Sequence, residues 1–267
     1  YMAQSPVLKA RGLSVTRGTR AVIQKLDLEI FQGDVVCLVG ENGSGKTTLI
    51  ESLVGILPLN EGQVEWFSEK DESVIIRNYS GTREKPYPFG LTLQSDGVCG
   101  EEKVTERLIT ALNVSGIDCS QTEAKQILEE WGMSHRGEDR VSQLSAGLRR
   151  RLAVISGMAP AIMCEAPRIV FLDEPSEGLD SFSKGVLKKW ISELSQYGNA
   201  IVMASHDEEI IACSSRILTI ESGGISESKN TIGEGLIFER QFLDETETKT
   251  ISSLFSWSYS IERRNPI

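Results

Sequence analysis

Apolar and polar residues alternate in two stretches near the start of the chain. They are residues 13–15 (LSV) and 26–30 (LDLEI), and a repeat of every second residue is typical of strands with one buried face. Residues 17–20 (RGTR) lie between them and have the composition of a turn. The pattern predicts an antiparallel pair of strands.

Three other segments are almost wholly apolar: residues 35–39 (VVCLV), 168–172 (RIVFL) and 200–204 (AIVMA). Strands of this kind are expected in a parallel sheet, because helices cover both of its faces. A predicted helix separates the last two segments, so they form a βαβ unit with parallel strands. The apolar face of that helix consists of Leu187, Trp190, Ile191 and Leu194.

Shorter strand signals lie between and after these segments. Residues 63–67, 73–76 and 91–93 predict strands that continue the antiparallel layer. Glycines and prolines interrupt them, as expected of short strands joined by turns. Residues 216–221 (RILTIE) predict a last strand.

The middle of the chain has a helical pattern instead. Apolar residues recur there every three or four positions, namely Val104, Leu108 and Leu112, and then Ala124, Ile127, Leu128 and Trp131. Ser120 and Glu123 form a capping box at the start of the second helix. We therefore expect an all-helical insertion from about residue 101 to residue 160.

A glycine-rich motif follows the first apolar segment. Residues 40–48 (GENGSGKTT) match G-x-x-x-x-G-K-[ST] and lie between the strand at 35–39 and a predicted helix at 48–57. Glycine lets the backbone approach a polyphosphate closely, and successive N–H groups with the helix N-terminus make an anion cradle. The nucleotide contacts predicted in this loop are Asn42, Gly43, Ser44, Gly45, Lys46, Thr47 and Thr48.

Three side chains of this motif have individual expectations. Lys46 is expected to reach the β- and γ-phosphates, Thr47 to bring its hydroxyl to Mg²⁺, and Thr48 to bond the α-phosphate. Residues 169–174 (IVFLDE) complement them, because an apolar strand there ends in two carboxylates. Asp173 can bind Mg²⁺ through water, and Glu174 can polarise the water that attacks the γ-phosphate.

Composition limits the classes of function. The chain has 267 residues, 40% of them hydrophobic, and a formal net charge of −10, which disfavours extended contact with nucleic acid. Its five cysteines include no C-x-x-C pair, so neither a disulfide framework nor a zinc site is expected. No apolar run approaches about 18 residues and no signal-peptide pattern is present, so we expect neither a membrane span nor export.

Four motifs beyond the phosphate loop occur in the order and spacing of the ATP-binding cassette (ABC) ATPases, and residues 7–228 resemble that family. Residues 169–174 resemble its Walker B motif, and residues 144–148 (LSAGL) resemble its signature LSGGQ. Residues 204–207 (ASHD) resemble the switch-histidine motif, and residues 176–180 (SEGLD) resemble the D-loop.

The resemblance implies roles for further residues. His206 would bond the γ-phosphate and hold the geometry of attack, which makes Lys46, Glu174 and His206 the expected catalytic residues. Ser145 caps the helix that follows it, and with Gly147 it would bind the γ-phosphate held by the opposite subunit. Gln94 matches the Q-loop glutamine, which binds Mg²⁺ and senses the transmembrane partner. The expected metal ligands are therefore Thr47, Gln94 and Asp173.

The chain departs from the family pattern at three positions. Ala146 replaces a glycine of the signature, and Leu148 replaces its glutamine, which removes a polar side chain near the nucleotide. Arg17 stands where the family usually has an aromatic residue against adenine. Arginine can stack on a base through its guanidinium plane, and Val22 would pack on the ribose side.

The family resemblance implies an α/β fold: a RecA-like P-loop NTPase core with an antiparallel β layer and an inserted all-helical subdomain. The expected ABC ATPase domain spans residues 1–228, with the core at 7–95 and 160–228 and the helical subdomain at about 96–159. Residues 229–267 form a C-terminal extension. Its aromatic and basic end suits either a membrane interface or docking on the core.

The resemblance implies an ATP-hydrolysing subunit or domain of an ABC transporter, with ATP and Mg²⁺ as cofactors. Its partners would be a second ATP-binding subunit, identical or different, and a transmembrane permease, at the cytoplasmic face of the cell membrane. Alternatives are a soluble ABC ATPase, such as an iron–sulfur assembly type, and a monomeric P-loop kinase. The kinase explains residues 40–48 but neither 144–148 nor His206.

Overall fold

A computed structural model describes residues 6–68, 72–94, 100–164, 168–221 and 224–229. All but the first residue of the predicted C-terminal extension lies outside these ranges. The described chain folds into two β-sheets and six α-helices. No helix in these ranges is both long and apolar enough to cross a lipid bilayer.

The first sheet is antiparallel and has the strand order β2-β1-β4-β5. Its strands are β1 (Pro6–Arg17), β2 (Arg20–Phe31), β4 (Glu61–Phe67) and β5 (Ser73–Asn78). Leu13 pairs with Leu26 across β1 and β2, which confirms the predicted pair and its turn. Alternate residues of both strands are buried against the core, so the alternation in the sequence was a reliable signal.

The second sheet has six strands in the order β10-β9-β3-β8-β7-β6. Its strands are β3 (Val35–Val39), β6 (Gly90–Thr92), β7 (Ile169–Asp173), β8 (Ala200–Ala204), β9 (Arg216–Glu221) and β10 (Gly224–Lys229). All neighbours are parallel except β9 and β10. The three apolar segments are thus confirmed as the central strands β3, β8 and β7.

Strand β6 corrects one sequence expectation. Residues 91–93 were expected in the antiparallel layer, but β6 lies in the parallel sheet, where Gly90 pairs with Val170 of β7. A strand of three residues is too short for its period to indicate which sheet it joins. Its place depends on a close approach instead: a Cβ at Gly90 would lie 2.2 Å from the Gly157 carbonyl oxygen.

The helices are α1 (Lys46–Leu53), α2 (Val104–Val114), α3 (Gln121–Glu130), α4 (Ala146–Ile162), α5 (Ser181–Gln196) and α6 (Glu208–Ile211). Helix α1 ends earlier than its predicted bound at residue 57, because Val54 is its C-cap and Gly55 has a φ of 74°. The capping box of α3 is confirmed, since the Glu123 amide donates to Ser120 Oγ at 3.3 Å.

The parallel sheet separates two hydrophobic cores. In β3, Val36 and Leu38 face α1 and the antiparallel sheet, whereas Val35 and Cys37 face the helices α2 to α5. Both faces of the strand are therefore covered, which explains its unbroken apolar run. In the core between the sheet and the helices α2 to α5, the rings of Trp131 and Trp190 meet edge to face, with centroids 5.2 Å apart. This contact joins the end of α3 to α5.

Candidate active site

The phosphate loop lies between β3 and α1 and depends on two glycines. Gly45 is the N-cap of α1 with a φ of 121°, and a Cβ there would lie 2.5 Å from Val22 Cγ1. Gly40 has a φ of 145°, and its Cβ would lie 2.5 Å from the Ile220 carbonyl oxygen. Only glycine tolerates this combination of backbone angle and contact, so the loop can curve around a small group.

The loop has the features of an anion site. Ser44 Oγ is buried and has no hydrogen-bond partner among the described residues. Lys46 is buried, with 7% of the residue exposed, and its ammonium donates to the carbonyl oxygens of Gly40 at 2.8 Å and Glu41 at 3.2 Å. An orphaned hydroxyl and a positive charge inside a curved loop at a helix N-terminus fit phosphate oxygens.

Thr47 and Asp173 meet beside this loop. Thr47 Oγ1 donates to Asp173 Oδ2 at 2.6 Å, and Asp173 is buried at the end of β7. Burial raises the pKa of the Asp173 carboxyl, while the Thr47 bond and the charges of Arg150 and Lys46 oppose this rise. Two adjacent oxygen ligands suit Mg²⁺, which takes one or two protein oxygens together with substrate phosphates and water.

Glu174 follows in an unusual backbone conformation. Its φ is 49°, rare for a residue with a side chain and costing on the order of 1–3 kcal/mol. Its amide donates to the Ala204 carbonyl oxygen at 2.9 Å, which fixes it beside the end of β8. Burial raises the pKa of the Glu174 carboxyl, and His206 and Lys46 act in the opposite direction. Such a conformation is typical of functional sites.

His206 follows the end of β8 and lies beside Glu174 and Lys46. Its Nε2 lies 3.3 Å from Glu174 Oε1 and 3.0 Å from Lys46 Nζ, and its amide donates to Glu174 Oε2 at 3.3 Å. A carboxylate, an imidazole and an ammonium therefore converge at the carboxyl edge of the parallel sheet. General base catalysis and binding of a charged phosphate group both need such groups.

A cavity of ≈ 440 Å³ opens at this convergence, within the range of roughly 300–1,000 Å³ usual for small-molecule sites. Its lining consists of Arg17, Arg20, Val22, Asn42, Gly43, Gly45, Lys46, Thr47, Thr48, Gln94, Asp173 and Glu174. Of the described residues predicted for the site, Ser44, His206, Ser145 and Gly147 are not in that lining. Ser44 lies in the phosphate loop and His206 lies beside Lys46, whereas Ser145 and Gly147 lie at the start of α4.

The lining of the cavity also includes two cationic side chains, Arg17 and Arg20. Arg17 forms an ion pair with Glu51 on α1 and donates from Nε to Thr48 Oγ1 at 3.4 Å. Two contacts to α1 therefore hold its guanidinium. Sequence reasoning missed Arg20, which begins β2 and also lines the cavity. Its position directly after a turn beside Val22 was the available signal.

The segment at 145–148 starts helix α4. Ser145 is exposed and is its N-cap, and Ser145 Oγ accepts from the Leu148 amide at 3.3 Å, which confirms the predicted cap. A Cβ on Gly147 would lie 3.2 Å from the Gly178 carbonyl oxygen, so this segment abuts residues 176–180. Leu148 is half-buried and packs against the helical core, which accounts for an apolar residue at that position.

Two other polar residues near the site were missed from sequence. Arg150 of α4 is buried and donates to backbone carbonyls at the ends of β6 and β7. Lys184 of α5 donates to Asp207 Oδ2 at 2.6 Å and so holds the loop that carries His206. A cation among the apolar positions of α4 was the only sequence signal for Arg150.

Comparison with known proteins extends these observations. The sequence profile of the ABC transporter family matches residues 23–177. The ergothioneine transport ATP-binding protein EgtV of Helicobacter pylori (strain G27) is 30% identical over 207 residues, covering 76% of this chain and 91% of that protein. The zinc import ATP-binding protein ZnuC of Halorhodospira halophila is 30% identical over 226 residues, covering 84% and 77%.

A longer relative also matches. The macrolide export ATP-binding/permease protein MacB of Aggregatibacter actinomycetemcomitans is 30% identical over 206 residues, and the match covers 76% of this chain and 31% of that protein. Among solved structures, an ATP-binding subunit of an ABC transporter has a TM-score of 0.69 at 18% identity, covering 93% of this chain and 99% of that chain. A dimeric ATP-binding cassette bound to ADP and phosphate has a TM-score of 0.67 at 20% identity, covering 83% and 98%.

Proposed function

The chain belongs to the ABC transporter family of ATP-binding proteins, and on that premise we propose that it hydrolyses ATP to power movement of a solute through a membrane permease. The observation that carries the proposal is the meeting of Glu174, His206 and Lys46 beside the Thr47–Asp173 pair. This arrangement provides a base, a phosphate ligand and metal ligands within one cavity.

The proposed chemistry assigns one task to each group. Lys46 and the loop amides bind the β- and γ-phosphates, and Thr47, Asp173 and Gln94 would hold Mg²⁺. A bound Mg²⁺ ion neutralises charge on the phosphate oxygens. Glu174 accepts the proton of the attacking water, whose oxygen bonds to the γ-phosphorus while the bond from the γ-phosphorus to the β–γ bridging oxygen breaks, so that ADP leaves with the electron pair of that bond. His206 orients the transferred group.

The proposed assembly is a dimer of ATP-binding subunits, identical or different, attached to a permease at the cytoplasmic face of the membrane. Ser145 and Gly147 would serve the ATP of the opposite subunit. Support comes from the exposure of Ser145 and from the absence of both residues from the lining described for the cavity of their own chain. We propose the nucleotide core at residues 7–95 and 160–228 and the helical subdomain at 96–159.

Glu174→Gln tests the catalytic assignment. An amide keeps the shape of the side chain but is a much weaker proton acceptor, and its neutrality relieves repulsion with the γ-phosphate. We expect steady-state hydrolysis to fall to background, ATP affinity to be retained, and a nucleotide-bound dimer to accumulate in size-exclusion chromatography with ATP.

The matched control is Glu129→Gln, on the exposed face of α3, which should hydrolyse ATP like the unchanged chain. If the Glu174 variant remains a monomer at saturating ATP with unchanged turnover, Glu174 is not the base. Co-purification with a membrane fraction then separates a transporter subunit from a soluble ABC ATPase.

A further inference from the structure

Arg150 contacts the backbone of two segments that contribute residues to the proposed active site. Its side chain is 5% exposed. Nη2 donates to the carbonyl oxygens of Asp173 and Glu174, each at 2.7 Å. Nη1 donates to the carbonyl oxygens of Leu93 at 2.7 Å and Gln94 at 3.4 Å. One guanidinium therefore joins the segments that leave two neighbouring parallel strands, β6 and β7.

We propose that Arg150 is a positioning residue that sets the conformation of Glu174 and links it to the segment carrying Gln94. This inference rests on the proposed function, because Glu174 matters here as the group that activates water. Arg150 has no direct part in the reaction under this proposal. It acts through the backbone of the residues that do.

The conformation of Glu174 shows why such a residue is needed. With a φ of 49°, its backbone lies in a region that side chains rarely occupy and that persists only where neighbours impose it. The Glu174 amide is held by the Ala204 carbonyl at 2.9 Å, and the Glu174 carbonyl is held by Arg150. Both peptide groups are thus fixed, which aims the carboxylate at His206.

Arginine is suited to this task and lysine is not. The guanidinium is planar and presents several N–H donors in a rigid fork, so it can serve four carbonyls from two segments at once. An ammonium on a flexible stem can satisfy only part of that set.

The contacts connect Gln94 to Glu174 mechanically. Gln94 lines the cavity and its backbone shares Nη1 with Leu93. A movement of this segment that breaks the Nη1 bonds frees the guanidinium to shift, and the same guanidinium holds the Glu174 carbonyl. Displacement of Gln94 is therefore expected to change the rate of the chemical step more than the affinity for nucleotide.

Arg150→Lys tests the proposal in the full chain. We expect kcat to fall on the order of a hundredfold, the loss that a displacement of about 1 Å can produce, while the Kd for ATP stays within about twofold. Arg107→Lys is the matched control, since Arg107 is a half-buried arginine of α2 paired with Glu102. It should keep the turnover of the unchanged chain.

A double-variant cycle separates positioning from general stability. If Arg150 acts through Glu174, adding Arg150→Lys to Glu174→Asp, which keeps a displaced carboxylate and a measurable residual rate, should lower the single-turnover rate by less than twofold, because a shared role is lost only once. Full additivity of the two losses would overturn the proposal, as would an equal loss of ATP affinity and turnover.

Arg150→Gln covers the case in which the lysine variant does not fold. It is expected to lose kcat in the same way with a melting temperature close to that of the Arg107 variant. Failure of both variants to fold would show that Arg150 is structural and would overturn the proposal. Absence of ATP hydrolysis by the unchanged chain would instead contradict the proposed function, so the two failures are distinguishable.

Discussion

The pKa of Glu193 is strongly shifted by the surroundings of its side chain. This residue lies on α5, half-buried, and burial raises the pKa of its carboxyl from 4.5 to about 7. The charge of Lys189 opposes this rise, and the charge of Glu130 on α3 adds to it. Glu130 also has a raised pKa because of burial, although its carboxylate accepts from Trp190 Nε1 at 3.0 Å. Burial therefore shifts both carboxyls towards their neutral forms where α3 meets α5.

The sign of the effect on stability follows from linkage. Because the folded-state pKa of Glu193 lies above its ordinary value, its stabilising contribution is complete below about pH 4.5 and is lost as the pH rises through about 7. We expect Glu193→Gln to melt at a higher temperature than the unchanged chain at pH 8. This difference should shrink towards pH 5.

Melting curves by circular dichroism from pH 5 to pH 8 measure the effect. Glu129 is exposed and precedes Glu130 on α3. The difference in melting temperature between Glu129→Gln and the unchanged chain should not vary with pH in this way. A Glu193 variant whose melting temperature differs by the same amount at every pH would contradict the raised pKa.

At the scale of elements, α4 connects the helical insertion to strands β6 and β7 of the parallel sheet. Its N-cap is Ser145, it carries Arg150 to the ends of β6 and β7, and it then packs directly on β6. The contact is close because Gly157 and Gly90 both lack a Cβ. A Cβ at Gly157 would lie 2.0 Å from Thr92 Oγ1 and 2.8 Å from the Leu91 carbonyl oxygen. Helix and strand could not approach in this way with larger residues.

Gly157→Ala is therefore expected to destabilise the fold. Overpacking costs roughly 1–3 kcal/mol in proteins generally, and here the backbone of β6 must move, so a loss at the upper end of that range is expected. Gly185→Ala is the contrasting variant, since Gly185 lies within α5 and a Cβ there would meet nothing within 4 Å. It should stabilise by up to about 1 kcal/mol through helix propensity.

Urea unfolding of both variants provides the comparison, with unchanged m-values as the check that the two-state analysis holds. A Gly157 variant as stable as the unchanged chain would show that α4 and β6 separate without cost. The placement of the end of β6 by this contact would then be wrong.

At the scale of the whole molecule, the proposed function gives each chain two partial sites. The cavity provides the phosphate loop and carboxylates, whereas Ser145 is exposed at the start of α4. In the proposed dimer these parts combine across the interface.

Ser145→Asp should block ATP hydrolysis at the site to which Ser145 contributes, because Asp remains a good N-cap for α4 while its negative charge repels the γ-phosphate. Lys46→Ala should block hydrolysis through the other part of the site, the phosphate loop.

Mixing the two variants tests whether two copies of this chain share a site. Each variant alone should be nearly inactive. A mixed dimer contains one site with both lesions and one site with neither, so a 1:1 mixture should recover roughly a quarter of the unchanged turnover for random pairing in a two-fold dimer. No recovery would exclude a site shared between two copies of this chain and leave a different partner chain.

The sequence by itself determined the features that depend on neighbours along the chain. The phosphate loop, the N-caps at Ser120 and Ser145, and the strand ending at Asp173 are all set within a few residues by turn chemistry, capping and period. The resemblance of these motifs to ABC ATPases then indicated the fold, because the order of motifs follows the order of strands and helices. Such signals can be recognised in the sequence without knowledge of distant contacts.

Only the tertiary structure decided which distant groups meet. Arg150 reaches carbonyls 57 and 23 positions away, at Leu93 and Asp173, and Arg17 pairs with Glu51, 34 positions away. Period and composition say that a residue is buried or charged, but not which strand end lies beside it. The sheet that β6 joins and the packing of Leu148 depend in the same way on close approaches between elements, which exist only once the chain has folded.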